Sequence, residues 1–428
     1  MTTIISITVI LLATALVASQ AWIIAGMLRP DRSASGRPSR GAAGPDQAPA
    51  DQRAAAADYP SVSVIIPAHN EEGRIPGTLA SLRSIDYPGR LEFVLVDDRS
   101  SDATAELLAT AAAADPRFKI VTVEVPSRRY APKVNAVMQG VAASSGDIIV
   151  TSDADCRYSS GWVRALVEHF ADDVVMVCGY VETLPPRESR GRLSWWQWLE
   201  AADWFSLMLV SRSMLRFGKV YASSANNQAY RRTALLAAGG FGAGARAPSG
   251  DEDLLAQRLG RLTGGRVVFA EAPEARVLTS SAGSVINFLR QRSRWVARYR
   301  HSVHYRPSFL AGLSVLGFES IAVAGSLLAL PFAPQLAGVV LGCYAAQTLA
   351  MLVGMNIGAR QLDRRELGGV VTLGWALLHP FLIATAVIWS WLAPGDWRAG
   401  AVGYRRSLAR RRWRLLMRSM SPRHNQGA

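Results

Sequence analysis

The chain has 428 residues, 50% of them hydrophobic, and carries 47 lysines and arginines against 33 acids, a formal charge of +14. That length suggests two or three domains, and an apolar half with only 19% charged residues excludes a disordered polyelectrolyte. Three cysteines (Cys156, Cys178, Cys343), odd in number and without metal-type spacing, exclude a disulfide-built secreted scaffold. The bases are three lysines and 44 arginines, a preference that coding bias explains better than selection of guanidinium at each site, so nucleic acid is not an expected partner.

Residues 1–28 contain no charged side chain and are long enough to cross a bilayer. The stretch lacks a basic start and exceeds a signal-peptide core in length, so it reads as a transmembrane anchor rather than a cleaved signal. A Pro-, Gly- and Ala-rich linker occupies 29–58. Its first arginines, Arg29, Arg32, Arg37 and Arg40, predict by the positive-inside tendency that the chain beyond the anchor is cytoplasmic.

Residues 59–306 read as an α/β domain. Val62–Ile66, Leu91–Val96, Phe118–Val123 and Asp147–Thr151 have the β-branched, apolar character of buried strands, and helical stretches lie between them near 71–84, 103–114 and 132–144. Strand and helix in alternation predict a mainly parallel sheet, with its ligand beyond the carboxyl ends of the strands. Ser194–Arg212, rich in tryptophan yet containing Glu200 and Asp203, fits either an interfacial amphipathic helix or a helix packed on the sheet. Residues 307–394 hold three apolar blocks, at about 309–332, 336–357 and 368–393, the last interrupted by Pro380. Residues 395–428 form a basic tail, and its Tyr404–Met420 stretch mixes arginines with Leu408, Trp413 and Leu416 as an anionic lipid surface would favour.

The acids near strand ends point to chemistry. Pro67-Ala68-His69-Asn70-Glu71-Glu72 comes after the first strand, Asp97-Asp98-Arg99-Ser100-Ser101-Asp102 after the second, and Ser152-Asp153-Ala154-Asp155 after the fourth. Helix capping would explain one such cluster, whereas three on successive parallel strands converge on one crevice. Paired carboxylates suit Mg2+ or Mn2+, which takes one or two protein carboxylates and completes its shell with water and substrate phosphates. No Walker-type or dinucleotide-type glycine loop is present.

With these motifs in order, the sequence resembles the family 2 glycosyltransferases of GT-A fold over about residues 60–300. V-I-I-P-A-H-N-E-E (64–72) is similar to the family's opening strand and nucleotide loop, which implies donor contacts from Pro67, Ala68, Asn70 and Glu71. V-D-D-R-S-S-D-A-T (96–104) resembles the element whose second acid, here Asp98, contacts the nucleobase. Lys133 and Asn135 match the family's Lys-x-x-x-x-Asn region loosely, with Lys133 on the donor side. S-D-A-D (152–155) is similar to the D-x-D element, implying Asp155 as metal ligand and Asp153 near ribose and metal. Gly250-Asp251-Glu252-Asp253 resembles the acidic motif of the catalytic base; counting back from Arg258-Leu259 implies Glu252, with Asp251 as the alternative. Gln291, Arg294 and Trp295 match Q-x-x-R-W. That motif is typical of the membrane-embedded branch that includes cellulose, chitin and hyaluronan synthases and, in variant form, ceramide glucosyltransferase.

The resemblance implies an inverting, single-displacement transfer from a nucleotide sugar, first of all a UDP-sugar, to a glycan or lipid acceptor, with Mg2+ or Mn2+ and Arg294 beside the departing diphosphate. The expected setting is the cell (inner) membrane with a cytoplasmic catalytic domain. Polysaccharide synthesis and single addition to a lipid are the competing enzyme readings, and a non-catalytic membrane scaffold is the reading from another class. One span before the domain and three after it would leave the arginine-rich tail outside. A re-entrant Pro380 block that returns the tail to the cytoplasm is therefore the expected form.

Overall fold

A computed structural model describes residues 2–30, 59–127, 129–183, 193–220, 223–242, 251–298, 317, 319–328 and 330–392. The linker from residue 31 and the tail lie outside the described residues. The central sheet has seven strands in the order β3-β2-β1-β4-β8-β6-β9, with β1 at Val62–Ala68, β2 at Leu91–Asp97, β3 at Phe118–Thr122, β4 at Ile148–Thr151, β6 at Val174–Gly179, β8 at Gln228–Arg231 and β9 at Arg266–Ala270. All pairings are parallel except the two made by β8. A mixed α/β fold with a mostly parallel sheet is therefore what the chain adopts. β5 (Cys156–Tyr158), β7 (Val181–Glu182) and β10 (Val277–Thr279) form a second small sheet in the order β5-β10-β7.

The early helices α1 (Thr2–Leu28), α2 (Ile75–Arg83), α3 (Thr104–Ala114) and α4 (Pro132–Ala143) lie where apolar periodicity predicts them, although α2 starts four residues later than expected. Residues 71–74 are instead drawn into a turn, in which Arg74 and Ile75 both donate their N–H to Glu71 O at 2.9 Å. The chain runs from β1 outward to β2 and β3 and then returns to place β4 on the other side of β1. That reversal makes a crevice at the carboxyl ends of β1 and β4, the switch point at which open α/β sheets bind ligands. Close packing of α4 on β1 depends on Gly140, where a Cβ would come within 2.5 Å of Ile65 Cγ2.

After α5 (Trp162–Val167) comes α6 (Trp195–Arg216), which begins with a capping box between Ser194 and Gln197. It is a packed helix: Glu200, Asp203, Trp204 and Phe205 are buried, while Trp195 remains exposed. Beyond it lie α7 (Arg232–Ala237), α8 (Asp251–Thr263), α9 (Val285–Arg298), α10 (Glu319–Leu328), α11 (Pro334–Gln361) and α12 (Val370–Leu392). Among the described residues three helices are long and apolar enough to cross a membrane: Ser6–Leu28, Pro334–Gln361 and Val370–Ser390.

Direct contacts fix the polarity of these helices. Gln361 Nε2 donates to Met27 O at 3.3 Å, so α1 and α11 end together and run parallel. Gly369 N donates to Asn356 Oδ1 at 3.2 Å and Tyr344 OH donates to Leu377 O, so α12 returns antiparallel to α11. The turn between them is held on the sheet domain, because Arg276 donates to Leu362 O at 2.6 Å and Arg364 pairs with Glu182. Leu392 therefore lies at the far end of the bundle from the sheet domain. Helix α10 packs into the bundle through the contact of Val323 with Val9 and Val340. The re-entrant form expected from Pro380 is not found in the described residues, because α12 continues through that proline. Membrane helices tolerate the lost hydrogen bond where neighbours pack around it. A reporter fused after residue 428 is expected to be active only on the side opposite the sheet domain; activity on the domain's own side would reject this polarity.

Helix α6 joins the two parts. Arg212 and Arg216 bind Glu271 at 2.8 and 2.6 Å, and Arg212 also donates to Gln361 Oε1 at 2.6 Å. Gly26 and Gly358 let α1 and α11 approach α6 closely: Cβ atoms there would come within 2.8 Å of Ser213 and 2.5 Å of Leu209. Deeper in, Asp203 pairs with Arg292 of α9 and accepts the Trp375 Nε1–H of α12 at 3.2 Å. Asp203 and Arg292 are both buried, so removing one leaves the other uncompensated. Arg292→Ala is expected to destabilise the protein by about 3–5 kcal/mol, read as a fall in melting temperature in detergent or nanodiscs.

Candidate donor and metal site

The loops after β1 and β2 are laced together before any ligand is added. Asp98 N donates to Ala68 O at 2.8 Å, Glu71 N to Thr104 Oγ1 at 2.8 Å, Glu72 N to Asp102 Oδ2 at 3.1 Å, and Ala103 N to Glu72 Oε2 at 3.0 Å. Asn70 Oδ1 accepts the Ser101 N–H at 2.8 Å, and His69 Nδ1 lies 2.7 Å from Asp98 O. Asn70 and Arg99 hold positive φ values of 54° and 60°, a conformation that non-glycine residues adopt infrequently and that these lacings maintain. Burial opposes ionisation of Asp102, but the hydrogen bonds from Thr104 and from the Glu72 N–H outweigh it and hold the carboxyl below its usual range. Pro67 and Ala68 end β1 at the floor of this crevice.

Asp98 is buried, and one of its oxygens accepts from Arg99 Nε at 3.0 Å. Its other oxygen, Oδ2, is buried with no hydrogen-bond partner among the described residues. Such an acceptor costs stability unless something binds it. A ligand N–H fits this atom.

Across the crevice, Lys133 at the start of α4 reaches Asp153 Oδ1 at 2.7 Å. Asp155 Oδ1 lies 3.5 Å from Thr279 Oγ1 of β10 and 3.8 Å from Cys156 Sγ. The Cys156 thiol is pushed up first by burial and then by the negative charges of Asp155 and Asp153, so it stays protonated. Ser152 Oγ donates to Asn226 O at 2.5 Å and Thr78 Oγ1 to Ala154 O at 2.7 Å, which fixes the Asp-Ala-Asp segment from both sides. Among the described residues no group of three or more His, Cys, Asp or Glu side chains could by itself hold a metal. The donor set is thus one or two carboxylates at a strand end, which suits a hard divalent cation whose remaining ligands are phosphate oxygens and water, and suits neither zinc nor a soft metal.

Helix α8 begins at Asp251, and its first turn is anchored by Asp253, which is buried and accepts the Ser223 N–H at 2.5 Å. Gln228 Nε2 holds Ser223 Oγ at 2.8 Å, and Gln228 is paired in register with Thr151, the last residue of β4. This chain of contacts brings the backbone of Asp251 and Glu252 to the same end of the sheet as Asp153 and Asp155; the side chains of Asp251 and Glu252 lie outside the described residues.

The Gln291, Arg294 and Trp295 positions are on α9, which is tethered to the same place. Ser280 Oγ lies 3.5 Å from Asp155 O, Ser281 Oγ donates to Glu200 Oε2 at 2.5 Å, and α9 starts four residues later. Burial raises the Glu200 carboxyl above its usual range even though Ser281 and Ala282 donate to it. Gln291 Oε1 accepts from Arg292 at 2.9 Å, Trp295 meets Trp204 edge-on with centroids 4.7 Å apart, and Arg294 is half-buried. Arg292, Asp203, Thr279 and Asn226 carry no functional signal in the sequence, because their roles come from contacts between distant segments. A buried arginine inside a basic helix has no local signature.

Residues 63–237 match the model of Glycosyl transferase family 2. The undecaprenyl-phosphate 4-deoxy-4-formamido-L-arabinose transferase of Pectobacterium carotovorum subsp. carotovorum (strain PC1) is 43% identical over 124 residues, 28% of this chain and 36% of that protein. An N-acetylglucosaminyltransferase of Neorhizobium galegae is 30% identical over 183 residues, 42% of this chain and 40% of that protein. The chain therefore matches well under half the length of these curated relatives. Among solved structures, the mannosyltransferase PcManGT from Pyrobaculum calidifontis, in complex with GDP-Man and Mn2+, superposes with a TM-score of 0.52 at 17% identity, covering 92% of this chain and 100% of that one. Residues 63–237 thus carry a match to glycosyl transferase family 2, on a mainly parallel α/β sheet of the GT-A type.

Proposed function

We propose that the protein is an inverting, metal-dependent glycosyltransferase that moves a sugar from a nucleotide-sugar donor to a lipid acceptor at the inner membrane, with residues 59–306 in the cytoplasm. The observation that carries this reading is the convergence at one switch point of the open Asp98 acceptor, the Lys133–Asp153 pair and Asp155. Asp98 accepts a hydrogen bond from the nucleobase, and the loop from Pro67 to Glu71 lies along the nucleoside. Lys133 and Asp153 orient the ribose and diphosphate. Asp155, with Asp153 beside it, would hold Mg2+ or Mn2+, which when bound neutralises charge on the departing diphosphate. Glu252, or Asp251 in its place, takes the proton from the acceptor hydroxyl as that oxygen attacks the anomeric carbon. Arg294 adds a positive charge on the leaving-group side, while Gln291 and Trp295 line the acceptor side.

A lipid acceptor is favoured over a growing polysaccharide by the relative named for transfer to undecaprenyl phosphate, 43% identical over 124 residues. Membranes containing the protein, supplied with radiolabelled nucleotide sugars, are expected to yield an organic-extractable monoglycoside; a label found only in polymer would replace the lipid reading with the synthase reading. Asp98→Ala is expected to raise the donor KM about tenfold or more with a smaller change in kcat, since it removes a ground-state contact to a charged acceptor. An unchanged KM for every donor would remove Asp98 from the donor site.

A further inference from the structure

A second cleft, of about 510 Å³, lies along the edge strand β9, between the end of α1, the end of α6 and the carboxyl-terminal half of α8. It is three strands away from β4 in the sheet order, about 14 Å at usual strand spacing, and shares no residue with the crevice between β1 and β4. Four arginines line it, Arg29, Arg216, Arg261 and Arg266, of which Arg216 pairs with Glu271 at 2.6 Å and Arg266 with Asp173 at 2.5 Å. Phe217, Val220, Val267 and Phe269 add apolar lining. A site of this size with both cationic and apolar lining fits an amphiphile carrying an anion.

Its position says which amphiphile. Arg29 is the first charged residue after the apolar α1, so it marks the level at which that helix leaves the hydrocarbon. Trp22 stacks on Phe217 with centroids 5.1 Å apart, the Arg29 guanidinium sits 4.3 Å from the Phe217 ring, and Lys219 Nζ lies 5.0 Å from the Trp22 ring. This is the aromatic and cationic layer that membrane proteins place at the headgroup level. Arg216 fixes the rim by donating to Met27 O and Arg29 O at 2.6 and 2.7 Å while pairing with Glu271. Beside the cleft, Trp22 and Leu28 are 42% and 64% exposed on α1, a surface against which an acyl chain can lie. Gly218 and Gly264 turn the chain at the rim with positive φ values of 70° and 68°, a conformation that favours glycine.

We propose that this cleft binds the phosphate headgroup of an anionic membrane phospholipid, separately from the transfer site. Arg29 and Arg261 take the phosphate, with Arg216 and Arg266 held by their carboxylates at the rim, Phe217 and Phe269 take the glycerol and first methylenes, and the chains continue along α1. The full chain in nanodiscs of mixed phosphatidylcholine and phosphatidylglycerol tests this by native mass spectrometry. Phosphatidylglycerol is expected to be retained in preference to phosphatidylcholine, and retention to fall about fivefold for each guanidinium lost in Arg29→Ala and Arg261→Ala. Arg365→Ala, which alters an exposed arginine in the turn after α11 and outside the cleft, is expected to leave retention unchanged. Equal retention of the two lipids, or an equal loss in Arg365→Ala, would overturn the proposal. Complete displacement of the lipid by millimolar glycerol phosphate would also overturn it, by showing a site for soluble phosphate instead.

Discussion

Asp155→Ala is expected to lower sugar transfer by about 100-fold or more while leaving the protein folded. Asp155 is held at the end of β4 by a segment fixed from both sides, through Ser152 with Asn226 and Ala154 with Thr78, so the mutation removes a carboxylate without loosening the strand. Chelation with EDTA should reproduce the loss in the wild type, and Mn2+ or Mg2+ should restore activity there but not in Asp155→Ala. Asp153→Ala should act differently: its partner Lys133 loses a 2.7 Å ion pair, and donor affinity should fall along with the rate. Transfer at the wild-type rate by Asp155→Ala in a membrane assay would remove the metal role from this residue.

The base should give the second large effect. Glu252→Gln is expected to reduce kcat by about 100-fold or more with little change in donor KM, because proton removal from the acceptor matters in the transition state and not in donor binding. Asp251→Asn separates the two candidates: whichever single variant gives the loss identifies the base, and the double variant should be no worse than that one. Asp253→Asn serves as the positional control. It keeps the residue's size while weakening its hold on Ser223, so it should lower the melting temperature and lower kcat only in part. If the double variant retained wild-type turnover, neither residue would be the base.

Much of the fold is legible in the sequence, since buried strands such as Val62–Ala68 and Leu91–Asp97 show β-branched runs that a solvent-exposed segment would not have. The acids at Asp98, Asp153 and Asp155 are legible for a related reason, because parallel strands bring consecutive strand ends together. The features that are not legible depend on pairing between distant segments. β8 runs antiparallel between β4 and β6, and that insertion carries Gln228 and Ser223 to the crevice and seats Asp253 there. Helix α6 reads equally well as interfacial or packed, because its Glu200 and Asp203 look solvated until Ser281, Arg292 and Trp375 are known to meet them. The Pro380 block misleads in the opposite sense: proline is a strong local signal for a break, but packing within the bundle accommodates it.

Metal-dependent transfer from a nucleotide sugar at the crevice between β1 and β4 is tested most directly by tracking the anomeric carbon of a labelled donor in nanodiscs containing the purified protein, a divalent cation and an extract of membrane lipids. The expected product is a lipid-linked glycoside of inverted anomeric configuration that disappears with EDTA and in Asp155→Ala. Retained configuration, or a product formed equally well with EDTA or without Asp155, would contradict it.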